Sequence, residues 1–387
     1  MKTNNIVGKK VREAREEMRF TITDLAEKTG ISRITLSKIE NGLVERPSRE
    51  TVVALSFNLH KPIEFFFNEN SLSLEATTIP SFRSLASKTN RDNQVAFVKL
   101  QRAMLFVEYL YERIAPRPLR ISQGLLDEAT EISAEKGFDP FAIEHLALRL
   151  REEWNLGDNP ISGIPTLLEN NGIICAPSKL PEKIDSLNVS FKVDQEQESS
   201  VIIYKQDDNF FRQRFSLAHE LGHILLHHYW TETDFERKSQ EAEKQANCFA
   251  SAFLMPSRRF QSTFLYPTFN GLCALREIWH VSVSAILKRA SDLNLITGTQ
   301  NQNLNIEISR KKKGVKKEEP ECVSIEPEAP YYLQNAYAFI FDEGLSTPED
   351  IEDFFALSRS EIVDYIGNQD KFINITPQNI FEMKHSK

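Results

Sequence analysis

Residues 215–228 read FSLAHELGHILLHH and contain the pattern His-Glu-x-x-His at positions 219–223. Residues four apart on a helix project to the same face, so His219 and His223 can hold one cation between them. Glu220 lies beside the first of these histidines and can reach a water molecule at that cation. Zinc bound by two histidines needs a third protein ligand and, for catalysis, an open position. The stretch therefore predicts a helix that carries two of three zinc ligands.

The third ligand is expected on a second helix downstream. Residues 241–256 read EAEKQANCFASAFLMP, and their apolar stripe predicts a helix with one buried face. Glu243 and Asn247 share a face that borders this stripe, so Glu243 can point at the zinc and Asn247 can orient His219. Glu241 is the competing ligand, but it lies about 200° around the helix from Glu243 and is expected to face solvent.

Two further histidines end the first stretch. His227 lies eight residues beyond His219, which is about 12 Å further along a helix axis. We therefore expect His227 and His228 to have structural or supporting roles and not to bind the same ion.

These two segments resemble the ImmA/IrrE family of bacterial metallopeptidase-like regulators. The similarity runs from about residue 143 to residue 256 and includes LREEWNLGDNPI, LLENNGIIC, RQRFSLAHELGHILLHH and the segment E-x-x-A-N-x-F-A-x-x-F-L-M-P. The resemblance implies that His219, His223 and Glu243 hold Zn2+. It also implies that Glu220 accepts a proton from the attacking water and later delivers it to the leaving amine. Family members are known or proposed to cut transcriptional repressors.

A second informative stretch, residues 21–42, reads TITDLAEKTGISRITLSKIENG. Thr21 and Thr23 can cap one helix, and Ser32 can cap the next. Gly30 allows the tight turn between them. This order of caps, turn and short apolar stripes predicts a helix-turn-helix.

Around this stretch, about residues 6–67 resemble the Xre family of Cro/CI-type helix-turn-helix repressors, through LAEKTGIS, the S-x-I-E-N-G ending and the terminal PIEFFF. The resemblance implies that the second helix of the motif lies in the major groove of a double-stranded DNA operator, with a homodimer on paired half-sites. The family often carries Gln where this chain has Ile22, so that contact is expected to be absent. Arg33 is the candidate for a bidentate contact to guanine. The predicted base-facing residues are Arg33, Ile34, Thr35 and Lys38, and the predicted phosphate contacts are Arg46 and Arg49.

Composition and periodicity, together with the two resemblances, divide the chain into five parts. We predict a helix-turn-helix domain at 1–67, a Ser-, Asn- and Thr-rich linker at 68–94, an ImmA/IrrE-like metallopeptidase domain at 95–300, a charged linker at 301–330 and an acidic helical unit at 331–387. Short β-branched runs within the third part predict a small sheet. The predicted fold class is mainly α with a small β-sheet (α+β), in which an all-α head precedes a zincin-like central domain.

Charge is unevenly distributed along the 387 residues. Residues 1–50 carry 11 Lys and Arg against 8 Asp and Glu, whereas residues 318–387 carry 4 against 15. The basic head is compatible with DNA binding despite a net charge of −8. Phosphate would repel the acidic tail, so we expect it to make protein contacts or to pack internally.

The composition also bears on location. No run of about 18 apolar residues occurs, and the start, MKTNNIVGKK, lacks the apolar segment of a signal peptide. The four cysteines are scattered without paired spacing, which is typical of a reduced protein. We therefore expect a cytoplasmic protein without membrane contact.

Two classes of function follow from these features. The first is a DNA-binding transcriptional regulator with a zinc-dependent endopeptidase domain that cleaves a repressor or partner protein. The alternative is a non-proteolytic transcription factor, or an antitoxin that masks a toxin, whose peptidase-like domain senses a ligand, metal or protein. Glu220 favours the first, because a sensor has no need of a general base beside the metal.

Overall fold

In the computed structural model, the structure describes residues 5–78, 90–134, 138–195, 197–205, 209–312 and 328–366. These residues form 17 α-helices, one 3-10 helix and a three-stranded sheet. The mainly α fold with a small sheet is therefore confirmed. No helix among the described residues combines the length and apolar character that a membrane crossing requires.

The N-terminal domain, called the head below, contains four α-helices and one 3-10 helix. Thr21 and Asp24 form a reciprocal capping box at the start of the second helix, and Gly30 ends that helix with φ of 72°. Ser32 accepts a hydrogen bond from the Thr35 amide and so caps the third helix. The expected caps Thr21 and Ser32 and the turn at Gly30 are thus confirmed, whereas Thr23 lies inside α2 and does not cap it. The head comprises α1 (Gly8–Glu17), α2 (Ile22–Thr29), α3 (Arg33–Glu40), α4 (Arg49–Leu59) and the 3-10 helix Ile63–Phe67.

The central part, called the body below, places helices around the sheet. Strand β3 lies in the middle, parallel to β1 and antiparallel to β2, so β2 is an edge strand. The strands are β1 (Ile173–Ser178), β2 (Ser186–Lys192) and β3 (Glu198–Lys205). The helices are α5 (Asn90–Tyr111), α6 (Gln123–Ala134), α7 (Pro140–Glu153), α8 (Ile164–Asn170), α9 (Phe210–Leu226), α10 (Glu232–Leu254), α11 (Ser257–Thr263), α12 (Phe269–Trp279), α13 (Val283–Asp292) and α14 (Gly298–Lys312).

The C-terminal helices, called the tail below, pack internally. They are α15 (Tyr332–Asp342), α16 (Pro348–Phe355) and α17 (Arg359–Ile366). Tyr109 of α5 shares a 2.6 Å hydrogen bond with Ser346, and the Phe106 ring stacks on Phe355 at 3.9 Å between centroids. Head, α5, tail and one face of the sheet therefore share one hydrophobic core, and a second core lies between the other face of the sheet and the remaining helices of the body. The predicted unit 331–387 is described only as far as residue 366.

The head is fixed to the body by buried charge. Arg102 of α5 is 5% exposed and donates to Glu13 and Glu17 of α1, at 2.6 and 3.0 Å. Lys61 pairs with Glu17 at 2.9 Å and also with Glu361 of the tail. Because charges this well buried are stable only when paired, these contacts, called the charge clamp below, hold the head in a defined orientation.

The two predicted linkers are more ordered than expected. Helix α14 covers residues 298–312, so the predicted charged linker at 301–330 begins as a helix, and Glu328 at its other end accepts from Arg214 of α9. In the predicted linker at 68–94, residues 68–78 contact the body, and α5 already begins at Asn90. In both places backbone and side-chain hydrogen bonds order a segment whose polar composition had predicted a linker. Residues 79–89 and 313–327 of these linkers lie outside the described part of the chain.

Candidate metal centre and DNA-reading surface

Helices α9 and α10 lie close together because the sequence provides small residues where they meet. Gly222 faces α10, and a Cβ atom there would lie 3.1 Å from the ring of Phe249 and 3.2 Å from the Cα of Ala246. Only glycine permits this approach without displacement. The two histidines of α9 and the carboxylate of α10 are thereby brought face to face.

Three predicted ligands converge on one point. The Nε2 atoms of His219 and His223 are 3.0 Å apart, and the Glu243 carboxylate lies 3.5 Å from the first and 3.6 Å from the second. Among the described residues these form the one group of three or more His, Cys, Asp or Glu side chains close enough to hold a metal ion. Glu241 is not part of it. The side chains are 14%, 2% and 23% exposed, so the site opens to solvent on one side.

The spacing suits zinc. With zinc–ligand distances of about 2.0–2.1 Å, the ligand atoms of a tetrahedral site lie about 3.3 Å apart. The three separations of 3.0, 3.5 and 3.6 Å bracket this value. Two imidazoles and one carboxylate also leave the fourth position open, which is the arrangement of a catalytic site.

Hydrogen bonds set the direction in which both imidazoles present their lone pairs. Nδ1 of His219 lies 3.2 Å from Oδ1 of Asn247, whose own amide donates to the Glu243 carbonyl at 2.7 Å. Because that amide oxygen can only accept, Nδ1 of His219 carries the proton and Nε2 is left with its lone pair towards the site. The predicted contact between Asn247 and His219 is therefore present.

His223 is oriented by a longer chain. Its Nδ1 lies 2.9 Å from Nδ1 of His227, and Nε2 of His227 lies 2.9 Å from Oε1 of Gln245. With the Gln245 oxygen facing the ring, His227 donates from Nε2 and accepts at Nδ1, so His223 donates from Nδ1 and keeps Nε2 free. His227 thus supports the site without entering it, whereas His228 turns away and pairs with Glu198 at 3.1 Å.

The electrostatics favour neutral imidazoles. Burial lowers the pKa of His219, and the neighbouring His223 lowers it further. Burial also lowers the pKa of His227 well below its usual value. Neutral histidine is the form that binds metal ions.

Glu220 is held by the edge strand. Its two carboxylate oxygens accept from the Ser186 hydroxyl at 2.7 Å and from the Asn188 amide at 2.5 Å, and the residue is 3% exposed. Ser186 and Asn188 are two apart on β2 and so lie on the same face of the strand. A carboxylate fixed in this way beside the first histidine is a candidate general base. The sequence analysis missed both residues, and it missed Gln245.

The predicted base-reading residues lie on the outward side of α3. Ile34 is 70% exposed, and Arg33 and Lys38 are exposed beside it. Thr35 is half-buried, and its hydroxyl is 2.8 Å from that of Ser32, so it helps to cap the helix. Arg33, Ile34 and Lys38 border one concave surface together with Ile22, Ser32 and Ser37, and Thr35 does not line it.

The two predicted phosphate contacts follow α3 in the chain. Arg46 lies in the loop after α3, whereas Arg49 is the first residue of α4; both are exposed, and Arg46 donates to Asn5 at 2.9 Å. Behind α3, Arg15 of α1 makes two hydrogen bonds with Glu40, at 2.6 and 2.9 Å. This buried pair joins the end of α3 to α1 and so fixes the orientation of α3 relative to α1. The sequence analysis did not identify it.

Comparison with known families assigns two parts of the chain. Residues 11–66 match the family described as helix-turn-helix, and residues 181–291 match the peptidase family described as IrrE N-terminal-like domain. No curated protein matches the chain. The fusion predicted from the sequence is thereby confirmed: an Xre-type helix-turn-helix domain, as found in DNA-binding regulators, is joined in one chain to an ImmA/IrrE-like metallopeptidase-type domain.

Proposed function

We propose that the protein is a sequence-specific transcriptional regulator whose body is a zinc-dependent endopeptidase that cleaves a repressor or another partner protein. The observation that carries the proposal is the convergence of two imidazole nitrogens and one carboxylate at 3.0–3.6 Å, with the Glu220 carboxylate beside them on the same helix. A carboxylate beside a metal site can act as the general base of a hydrolytic reaction.

His219, His223 and Glu243 are proposed to hold zinc. When bound, the ion would polarise the scissile carbonyl and make water a better nucleophile. Glu220 would take the proton from the attacking water and deliver it to the leaving amine. Ser186 and Asn188 hold its carboxylate in one orientation, so the general base is already oriented before the reaction begins.

The head is proposed to bind double-stranded DNA with α3 in the major groove. Arg33 would donate to guanine, Ile34 would contact a thymine methyl group, and Lys38 would reach a base edge or a phosphate. Arg46 and Arg49 would contact the backbone and fix the register. The charge clamp on α1 leaves this surface exposed, so a docked head can read DNA.

A homodimer is proposed to place two heads on paired half-sites. On α4, Val53 and Phe57 are 46% and 77% exposed and lie four residues apart, so they form an apolar strip on one face of the head. As part of the same proposal, we assign residues 1–67 to the DNA-binding domain and residues 95–300 to the peptidase domain.

Terminal-amine labelling tests the peptidase proposal. Lysates of cells that express the wild-type chain are compared with lysates that contain Glu220→Gln, which keeps the three metal ligands. Glu241→Gln is the matched control, because it removes a nearby carboxylate outside the metal cluster. New protein N-termini are expected with the wild type and the control and not with Glu220→Gln. Identical termini in all three would refute proteolysis.

A further inference from the structure

The outer edge of strand β2 is covered by the segment that leads away from the head. Ala76 lies opposite Phe191 in an antiparallel bridge. The Thr77 amide donates to the Ser190 carbonyl at 2.8 Å, and the Lys192 amide donates to the Glu75 carbonyl at 3.1 Å. We call residues 75–78 the strap.

The strap ends with a side-chain contact. The Ser190 amide donates to the hydroxyl of Thr78 at 2.7 Å, and Thr78 is 8% exposed. A hydroxyl at this position therefore takes the place of a backbone carbonyl. Any extended chain that pairs with the outer edge of β2 should therefore be favoured if it places a Thr or Ser hydroxyl opposite the Ser190 amide.

The covered edge is continuous with the candidate site. Ser186 and Asn188, which hold Glu220, belong to the same strand as Ser190. At about 3.4 Å per residue, Asn188 lies roughly 7 Å from Ser190 along the strand. Because the strap is antiparallel to β2, its chain runs from Lys192 towards this end of the strand. An extended chain on this edge thus approaches the catalytic carboxylate in a defined direction.

The strap is also anchored upstream. The Ser73 amide and hydroxyl donate to the buried carboxylate of Glu108 in α5, the amide at 3.0 Å. Asn68 and Asn70 both donate to the Phe354 carbonyl in the tail, at 2.7 and 2.8 Å. These contacts keep the strap at a high effective concentration beside β2, so it competes with any separate chain for the same edge.

We propose that the outer edge of β2 is a docking surface for an extended peptide that adds as an antiparallel strand with a Thr or Ser facing Ser190, and that residues 75–78 occupy it as a tethered competitor. The identification of the docked peptide as a substrate rests on the proposed function. The docking itself does not depend on catalysis, since it uses only the backbone of β2 and one hydroxyl.

Two proline substitutions provide a matched test. Thr77→Pro removes the shorter of the two amide hydrogen bonds to the Ser190 carbonyl, at 2.8 Å; the other, from the Thr78 amide, is 3.3 Å long. Ala76→Pro removes an amide that points away from β2, because the Ala76–Phe191 pair makes no hydrogen bonds between its own backbone groups. The full-length chain carries Glu220→Gln, so that no cleavage enters the measurement. The probe is a fluorescein-labelled peptide of residues 71–78, SLSLEATT, and its binding is followed by anisotropy.

Opening the strap should raise the fraction of chains that can bind the probe. We expect Thr77→Pro to bind it at least about tenfold more tightly than the parent and than Ala76→Pro. Replacing the threonine of the probe that corresponds to Thr78 by valine should weaken binding to Thr77→Pro. Equal affinity of all three chains, or equal tightening by both prolines, would overturn the proposal.

Hydrogen exchange tests the same point without a strap variant. With saturating probe on the chain that carries only Glu220→Gln, the Thr77 amide should exchange faster while the Lys192 amide stays protected. Bound probe with unchanged Thr77 exchange would overturn the proposal. A chain that binds the probe but generates no new N-termini in cells would refute the peptidase and leave the docking surface intact.

Discussion

Replacing Gly222 by alanine should separate the two helices that carry the metal ligands. The added methyl group would lie 3.1 Å from the Phe249 ring and 3.2 Å from both the Cα and the carbonyl oxygen of Ala246. The ring can turn aside, but the backbone of Ala246 can move only with α10. Since Glu243 lies one turn away on α10, it moves with that backbone.

The size of the effect follows from two opposing terms. Overpacking a tight contact costs about 1–3 kcal/mol. Alanine is a better helix former than glycine by about 1 kcal/mol, which offsets part of this cost. Gly222→Ala should therefore lower the free energy of unfolding by about 0–2 kcal/mol. Gly124→Ala is the matched control, because a Cβ there meets nothing within 4 Å and the same change in α6 should stabilise by up to about 1 kcal/mol.

Metal affinity should fall more clearly than stability. Zinc–ligand distances tolerate shifts of only about 0.2 Å, which is the displacement that the added methyl group demands. We expect about tenfold weaker zinc binding by Gly222→Ala in competition with a chromophoric chelator, which corresponds to about 1.4 kcal/mol, and no change in Gly124→Ala. Equal zinc affinity of Gly222→Ala and the wild type would refute the argument that this glycine sets the ligand geometry.

Three further predictions concern the site, the head and the charge clamp. Gln245→Leu should weaken zinc binding about 10–100-fold, because it breaks the chain that orients His223; unchanged zinc affinity would contradict this. Arg33→Ala should relax base preference by about 1–3 kcal/mol in binding to operator and random DNA; an unchanged preference would exclude guanine reading. Burial alone would raise the pKa of Glu17, but the cationic Arg102, Lys61 and Lys99 together outweigh it and lower the pKa to about 2. Glu17 should thus contribute stability above about pH 4.5 that is lost as pH falls towards 2. The free energies of unfolding of the wild type and Glu17→Gln should therefore converge as the pH is lowered, and a difference between them that does not change with pH would contradict this.

Helical periodicity predicted the elements that carry the metal ligands. The helices expected in residues 215–228 and 241–256 correspond to α9 and α10, and the spacing of His219 and His223 placed both imidazoles on one face. Glu243 and Asn247 were expected to share a face, and the structure brings both to the histidines. Within a helix, sequence spacing fixes direction, so these contacts were accessible without coordinates.

Contacts between distant segments could not be predicted in this way. Ser186 and Asn188 were missed because alternation can place side chains on one face of a strand but cannot show that α9 lies across that face. Gln245 lies between two expected residues, and its role depends on where His227 stands. Helices α6, α8 and α11 were not anticipated, because their short apolar stripes are filled by tertiary contacts that no local pattern records.

The polar composition of residues 68–78 was misleading for a related reason. Ser, Asn and Thr are frequent in linkers, yet here their amides and hydroxyls donate to fixed acceptors, such as the Glu108 carboxylate and the Phe354 carbonyl. Composition gives the number of hydrogen-bond donors in a segment, but it does not show whether acceptors elsewhere in the fold lie within reach of them. The same holds in the tail, where Glu361 pairs with Lys61 of the head.

Equilibrium zinc binding tests the central claim most directly. The full-length wild type, Glu243→Gln and Glu241→Gln are each titrated against a competing chelator at neutral pH. The convergence of His219, His223 and Glu243 predicts one zinc ion per chain, a loss of affinity of at least about a hundredfold in Glu243→Gln and wild-type affinity in Glu241→Gln. Zinc bound equally well by all three chains, or by none of them, would contradict the account.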